Sequence, residues 1–288
     1  NLFYHAGLDV YDSMISDLST KKNRGRISGI GTAFGYVGTI LAVVVAGVIG
    51  YIFGFESPFT IKTMFVVTAV LFFGFSLFTF FMVKERSRIR IKARHFKEGF
   101  SRVISTIKNF KEYKYVWLFL LASFLYVDAA NTMIIFLFLF GKDQLGLTIS
   151  KFLPLFIMMS VTAMIGAYIS GRVTDRVGHK KTLLWILVLW IVTIVILSFK
   201  IQYSTYIFAG VFGGFLLGGI WTITRPLLAQ LVPKNKIAEL FGYQGLTEKL
   251  GGAVGPVVFG FIATYYSFRY ALFSVVALFA LGAIALYF

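Results

Sequence analysis

Charged side chains lie inside otherwise apolar segments of this sequence, and such positions point to chemistry. Asp128 stands in the middle of FLYVDAANTMIIFLFLFG, residues 124–141, with Tyr126 just before it and Asn131 three residues on. An ionised group in apolar surroundings costs several kcal/mol and usually faces a protein interior or a wet cavity. Such a carboxylate can carry a proton or bind a cationic group. The alternative is a hydrogen bond that joins two helices.

Further acids and bases occupy similar surroundings. Arg225 lies late in one apolar segment, and Glu248 and Lys249 lie early in the next, so a direct Arg225–Glu248 pair is expected. Asp9 and Asp12 lie on one helical face near the start of the chain. We expect these charges to form a gate or coupling network. Arg225 and Lys249 could instead extend toward lipid headgroups.

The composition identifies the surroundings as a lipid bilayer. Hydrophobic residues make up 58% of the chain and charged residues only 14%, against about 45–50% and about 25% in soluble domains. The sequence therefore predicts an all-α polytopic membrane protein. It contains no cysteine and 3 histidines, so no metal site and no cofactor are expected. It also lacks a nucleophile–base pair or carboxylate dyad at fixed spacing, so an enzyme is not expected.

The helices that must position these charges follow from hydropathy. A spanning helix needs about 20 mainly apolar residues. Residues 1–19 have the pattern of the end of one helix, and complete spans are predicted at 27–53, 59–83, 116–140, 152–171, 182–199, 205–230, 240–264 and 270–288.

Lys and Arg concentrate in alternate loops, around residues 21–26, 84–114, 172–181 and 234–236. By the positive-inside rule these loops and the C-terminus are cytoplasmic, which explains the net charge of +16 without nucleic acid. An amphipathic helix on an anionic cytoplasmic leaflet is predicted in the long loop, with a solvated linker as the alternative. Its apolar positions are Phe96, Phe100, Val103, Ile107 and Phe110.

An internal repeat relates the two parts of the chain. One offset, 213 positions, aligns Lys21 with Lys234, Gly29 with Gly242 and Gly38 with Gly251, and also Asp12 with Arg225. Parallel repeats of this kind build transporters whose halves move around a central site. The offset places about 100 residues of a first half before Asn1, equivalent to about three to four helices.

The loop GRVTDRVGHKKTLL, residues 171–184, resembles the loop signature of the major facilitator superfamily. Its glycines permit a tight turn, and its charges can pair in one conformation and separate in another. The expected gating-loop residues are Gly171, Asp175, Arg176, Gly178, Lys180 and Lys181.

A finer resemblance covers nearly the whole chain. The segments 24–38, 119–134, 224–233 and 238–260 are similar to the branch of autophagy-related vacuolar amino-acid effluxers and their prokaryotic relatives. The residues that carry the similarity are Tyr126, Asp128, Arg225, Phe241, Gly242, Lys249, Gly255 and Pro256. The resemblance implies the major facilitator fold, with two pseudo-symmetric six-helix bundles.

The expected organisation has three parts: the remainder of an N-terminal bundle at 1–83, a basic cytoplasmic linker at 84–115 and a C-terminal six-helix bundle at 116–288. The expected function is secondary transport of a small organic solute, with amino acids as candidates, in a prokaryotic cell membrane. Protons are candidate co-substrates. The alternative is a membrane binding or assembly protein that has the same fold and no transport.

Overall fold

The computed structural model describes residues 2–55, 57–82, 113–233 and 236–288. Within these ranges, the side chains of residues 2–6, 9 and 238 are not described. Nearly all of the predicted linker at 84–115, including its amphipathic helix, lies outside the described residues. The predicted boundaries of the three parts therefore stay predictions.

Within the described ranges the chain folds into helices and contains no strand. Two short helices come first, α1 (Leu2–Ser13) and α2 (Ile15–Leu18). The longer helices are α3 (Arg24–Phe53), α4 (Pro58–Met82), α5 (Lys114–Leu145), α6 (Ile149–Val177), α7 (His179–Phe199), α8 (Tyr203–Leu231), α9 (Ile237–Tyr265) and α10 (Phe268–Tyr287). These 8 described helices are all long and apolar enough to cross a membrane. The prediction of an all-α, multi-pass membrane protein is confirmed.

Several helices extend beyond the apolar segments that predicted them. The fourth predicted span ended at residue 171, whereas α6 continues to Val177 and includes Asp175. Backbone hydrogen bonding does not depend on side-chain polarity, so a helix can continue out of the apolar layer. Asp175 and Arg176 are therefore carried on the last turn of α6 rather than on a loose loop.

One compact unit contains residues 1–37 and 110–288. In it, α6 packs most extensively on α8, α5 lies between α9 and α10, and α7 contacts α8 and α10. Small residues permit the closest approach, because a Cβ at Gly166 or Gly218 would collide with a backbone carbonyl of the facing helix. Pro154, Pro226 and Pro256 lie inside α6, α8 and α9, respectively.

Aromatic side chains complete the packing of this unit. Trp190 of α7 stacks on Phe279 of α10 with ring centroids 5.3 Å apart. The ring of Tyr206 on α8 stacks on Phe140 of α5, and the Tyr206 hydroxyl donates to the Leu137 carbonyl at 2.9 Å. The Tyr206 contacts hold α8 against α5, the helix that carries Asp128, and the Trp190–Phe279 contact holds α7 against α10.

The second compact unit contains residues 38–109. Its described parts are the remainder of α3 and the whole of α4. Phe53 and Phe59 meet edge to face at 5.2 Å, close to the turn between the two helices. Large apolar side chains such as Phe65, Phe80 and Phe81 are exposed, as suits helices whose sides contact lipid or other membrane helices.

Candidate functional site

A cavity of about 520 Å³ lies among α1, α5, α8 and α9. Ligand pockets have volumes of about 300–1,000 Å³, so a small organic molecule fits. The charged members of its wall are two acids and two bases, and their formal charges cancel. The cavity is lined by Leu8, Asp12, Asn131, Ile134, Ile135, Trp221, Thr224, Arg225, Gln244, Glu248, Lys249 and Gly252.

Arg225 is held by residues from the beginning of the chain. Its Nη1 donates to Asp12 Oδ1 at 2.8 Å, and its Nη2 donates to Thr32 Oγ1 of α3. The side chains of Arg225 and Asp12 are only 15% and 18% exposed. The expected direct pair with Glu248 is not formed in the described structure, because the guanidinium is already held by Asp12 and Thr32.

Glu248 and Lys249 form fewer polar contacts than Arg225 in the described residues. Glu248 Oε1 accepts a hydrogen bond from Gln244 Nε2 at 2.8 Å, one helical turn earlier in α9. Lys249 is exposed and forms no ion pair with a carboxylate in the described ranges. Its charge is close enough to interact with both Asp12 and Glu248. The second oxygen of Glu248 and the ammonium of Lys249 are therefore the charged groups most available to a ligand.

Asn131 supplies a neutral polar group on the opposite wall. It lies on α5 and faces Gly252 of α9, where a Cβ would lie 3.4 Å from Asn131 Nδ2. The absence of a side chain at Gly252 leaves the amide of Asn131 at the cavity surface. An amide at this position can donate to or accept from a ligand.

Asp128 and Tyr126 lie behind this wall, fully buried, and are not among the residues that line the cavity. Asp128 Oδ1 accepts a hydrogen bond from the Gly255 backbone N–H at 2.9 Å, which joins α5 to α9. Asp128 Oδ2 is buried without a hydrogen-bond partner in the part of the chain that the structure describes. This geometry is that of the helix-joining alternative, and the proton role of Asp128 stays a prediction.

Tyr126 connects α5 to the helix that carries Arg225. The Thr224 hydroxyl donates to the Ile220 carbonyl at 2.8 Å, so the Tyr126 hydroxyl donates to Thr224 Oγ1, 3.0 Å away. Tyr126 therefore reaches the site through Thr224, which lines the cavity. Asp9 belongs to α1, but its side chain lies outside the described residues.

The predicted gating loop contacts the start of α3. Asp175 Oδ1 and Oδ2 accept from the backbone N–H groups of Gly25 and Arg26 at 2.7 and 2.8 Å. The first N–H groups of a helix have no partner within the helix, and the helix dipole favours an anion there. Asp175 therefore stabilises the N-terminus of α3.

The other members of the predicted gating loop either pack near this contact or are exposed beside it. A Cβ at Gly171 would lie 3.0 Å from the Cα of Gly29 on α3. Gly178 has a φ of 102°, a left-handed conformation that favours glycine and permits the turn between α6 and α7. Lys180 Nζ donates to the Tyr287 carbonyl at 2.8 Å. The exposed remainder of the predicted set is Arg176 and Lys181.

We call this region the basic end and define it as residues 16–28, 171–181 and 222–233. Two more hydrogen bonds hold it together. Arg24 Nη1 donates to the Ala229 carbonyl at 3.0 Å, and Ser28 Oγ donates to the Thr222 carbonyl at 2.7 Å. With Asp175, these contacts join the start of α3 to α6 and α8. We call this arrangement, in which α3 is bonded to α6 and α8, the closed basic end.

The sequence profile of the family described as vacuole effluxer Atg22-like matches residues 11–288. The chain belongs to the Atg22-like family. The MFS-type transporter YxiO of Bacillus subtilis is 26% identical over 287 residues, covering 96% of this chain and 66% of that protein. Autophagy-related protein 22 of Kluyveromyces lactis is 28% identical over 188 residues, covering 61% of this chain and 38% of the yeast protein. The chain thus spans less than two thirds of the length of both relatives.

Solved structures show that this Atg22-like chain has the major facilitator fold. The human organic anion transporter MFSD10 matches with a TM-score of 0.71 at 13% identity, covering 96% of this chain and 67% of that one. A bacterial homologue of the iron transporter ferroportin, in an outward-facing state, matches with a TM-score of 0.64 at 17% identity. The match covers 94% of this chain and 65% of the homologue.

Some site residues of this Atg22-like chain escaped sequence reasoning. Thr32 carries no signal, because a threonine in an apolar helix is ordinary. Gly255 matched the family pattern, but its role as the donor to Asp128 was not predicted, although a glycine directly before Pro256 marks a place where backbone groups can bond outside the helix. No cluster of metal-ligating side chains is found in the described residues.

Proposed function

We propose that the protein is a secondary transporter that moves a small organic solute across a membrane by alternating access. The observation that carries the proposal is the charge-balanced cavity, whose wall combines Asp12 from the start of the chain with Arg225 and Lys249 from its second part. Charges that are costly in a membrane are most readily explained by a polar solute that must be bound there. The membership in the Atg22-like family supports the same function.

Two sets of contacts act as the gate in this proposal. Asp12–Arg225 lies beside the cavity, and Asp175 with the N-terminus of α3 lies at the basic end. Both join the start of the chain to its second part. When the solute leaves toward the basic end, both sets must separate, and the charges that paired in the closed state become exposed to water.

The proposed substrate class is an amino acid. A zwitterion requires one anionic and one cationic partner, and Glu248 and Lys249 supply them because Arg225 and Asp12 already neutralise each other. Arg225 and Asp128 are also a base and an acid, but Arg225 is held by Asp12 and Thr32, and Asp128 is not among the residues that line the cavity. The yeast relatives belong to a family named for vacuolar efflux, which supports a solute rather than a macromolecule as cargo.

Asp128 is the proposed site of proton coupling. Its Oδ1 is occupied by the Gly255 N–H, whereas Oδ2 has no partner in the described residues. A proton can therefore reside on Oδ2 while the bond between α5 and α9 is kept. Because α9 also carries Glu248 and Lys249, a change at Asp128 can reach the cavity through this helix.

The proposed orientation places the basic end and the C-terminus in the cytoplasm, with the long basic linker on an anionic leaflet. The proposed location is the cell membrane of a prokaryote. The net charge of +16 is then explained by the orientation of the helices in the membrane, and no nucleic-acid partner is proposed.

The test is amino-acid uptake into vesicles that contain the protein expressed from its complete reading frame. The variant Glu248→Gln with Lys249→Gln should lose at least about tenfold in uptake, since two charge-assisted contacts are removed. The matched control is Lys142→Gln with Asp143→Asn, an exposed adjacent pair outside the cavity lining, and it should transport normally. Uptake that is absent for the native protein across all amino acids would refute the substrate class. Equal losses in both variants would refute the site.

A further inference from the structure

A second cavity, larger than the central one, lies at the basic end, and Asp175 of the gate contacts forms part of its wall. It has a volume of about 990 Å³. Its wall is built from α2 and the start of α3 on one side, and from the α6–α7 turn and the end of α8 on the other. The residues that line this basic cleft are Ser13, Ser16, Asp17, Lys21, Arg24, Thr174, Asp175, Val177, Gly178, His179, Lys180, Lys181, Ala229, Gln230, Val232, Pro233 and Ile237.

Cations dominate the wall of the basic cleft. Lys21, Arg24, Lys180 and Lys181 contribute four positive charges, against the two carboxylates of Asp17 and Asp175. None of the four cations forms an ion pair with a carboxylate in the described ranges. The polar partners recorded for Arg24 and Lys180 are neutral, namely the Ala229 and Tyr287 carbonyls and the Ser19 hydroxyl.

The two carboxylates of the cleft do not balance its four cations. Both oxygens of Asp175 accept from the backbone N–H groups of Gly25 and Arg26, which leaves Asp17 as the other internal counter-ion. Closing the basic end therefore brings cations from the two sides of the cleft together with a net positive charge. Like charges in proximity repel, and the repulsion opposes closure unless an anion enters.

We propose that the basic cleft binds a phosphate-bearing polyanion, which bridges α2–α3 to the α6–α7 turn and stabilises the closed basic end. Phosphate oxygens accept charge-assisted hydrogen bonds from Lys and Arg, and four convergent cations suit a ligand with more than one negative charge. The bound anion is a ligand that regulates the gate, and it is distinct from the solute in the central cavity. The regulatory part rests on the alternating access proposed above, whereas binding to the cleft does not.

The two sources of such a group are an anionic lipid headgroup and a soluble polyphosphate. The experiment uses the protein from its complete reading frame in nanodiscs of phosphatidylcholine alone, or of phosphatidylcholine with cardiolipin, a lipid with two phosphates. Tripolyphosphate is the soluble probe, and its binding is measured by calorimetry. Closure is measured as the distance between spin labels at Leu18→Cys and Val173→Cys, because both positions are exposed and lie outside the cleft lining. Residues 1–288 contain no cysteine, and any cysteine elsewhere in the complete reading frame is replaced by serine.

Tripolyphosphate should bind in phosphatidylcholine and increase the fraction of the short distance if the source is soluble. If the source is lipid, cardiolipin should increase that fraction and added tripolyphosphate should not. In either case the double variant Lys21→Gln with Lys181→Gln should weaken the effect of the anion on the short-distance fraction by about tenfold. This is the loss expected for two charge-assisted contacts. The matched control, Lys142→Gln with Lys151→Gln, removes two exposed lysines outside the cleft and should leave the effect unchanged.

The proposal is overturned if neither anion binds or changes the distance, or if the control weakens the effect as much as the cleft variant. These readouts require no transport. A protein that binds the anion and closes, yet moves no solute in vesicles, would refute the transport function and leave the cleft assignment standing.

Discussion

Asp12 and Arg225, 213 residues apart in sequence, form an ion pair of 2.8 Å beside the central cavity. Their separation equals the offset of the predicted internal repeat, so the pair joins positions that the repeat predicts to be equivalent in the two halves. A contact between equivalent positions lies close to the pseudo-symmetry axis, around which the halves of such transporters move. This placement is why we assign the pair to the gate.

Exchanging the two charges tests the gate. Asp12→Asn and Arg225→Gln should each reduce transport by about thirtyfold, because each leaves one largely buried charge without its partner. Breaking a buried pair costs about 3–5 kcal/mol, and partial exposure lowers this to about 2 kcal/mol. The double exchange Asp12→Arg with Arg225→Asp should recover a substantial part of the rate. Transport that is unaffected by either single change would exclude the pair from the gate.

Substrate analogues distinguish the roles of Glu248 and Lys249. Lys249→Gln should raise the KM for a transported amino acid by about tenfold, and should leave the KM of its carboxamide analogue unchanged, since that analogue has no carboxylate to pair. Glu248→Gln retains an acceptor for Gln244, and should instead weaken binding of analogues that carry the amine. Identical effects of both variants on every analogue would contradict separate roles.

Two substitutions at Asp128 separate its structural and coupling roles. Asp128→Asn keeps an oxygen for the Gly255 N–H, whereas Asp128→Ala leaves that buried donor unsatisfied. The alanine variant should lose about 1–3 kcal/mol of stability, seen as a lower midpoint of thermal unfolding. The asparagine variant should stay folded, lose proton-driven uptake and keep solute exchange. Normal proton-driven uptake by a folded asparagine variant would leave Asp128 with the structural role alone.

Close packing of α3 on α6 gives a test of the closed basic end. A Cβ at Gly29 would lie 2.5 Å from the Ala167 carbonyl oxygen and 3.0 Å from the Cα of Gly171, so Gly29→Ala must push the helices apart. A Cβ at Gly38, on the same helix, meets no atom of the described residues within 4 Å. Gly29→Ala should therefore reduce the short-distance population between labels at Leu18→Cys and Val173→Cys, and Gly38→Ala should not. The assignment fails if both alanines change that population equally.

Sequence reasoning identified charged candidate residues more readily than it predicted which of them are in contact. The repeat aligned Asp12 with Arg225, and the similar depths of Arg225 and Glu248 suggested a second pairing. Within the described residues the structure contains the first contact and not the second, because Asp12 of α1 and Thr32 of α3 hold the guanidinium. Depth in the membrane follows from counting residues, but the rotation of each helix about its axis does not.

Asp128 illustrates the same limit. Its mid-span position was evident from the sequence, and so was the choice between a cavity residue and a helix-joining one. That choice depends on whether Asp128 faces the cavity or α9, and α5 is apolar on nearly all sides, so periodicity gives little information about its orientation. Only the approach of α9 at Gly255, where glycine permits close contact, decided the partner.

The sequence by itself determined the membrane class, the spans, the alternation of basic loops and the resemblance to the major facilitator superfamily. These are properties of hydropathy, charge and local motifs, which residues carry without reference to their neighbours in space. The tertiary structure decided the Asp12–Arg225 pair, the capping of α3 by Asp175 and the two cavities. Each of these depends on distances between helices, and those distances are set by packing across the whole bundle rather than by any one segment.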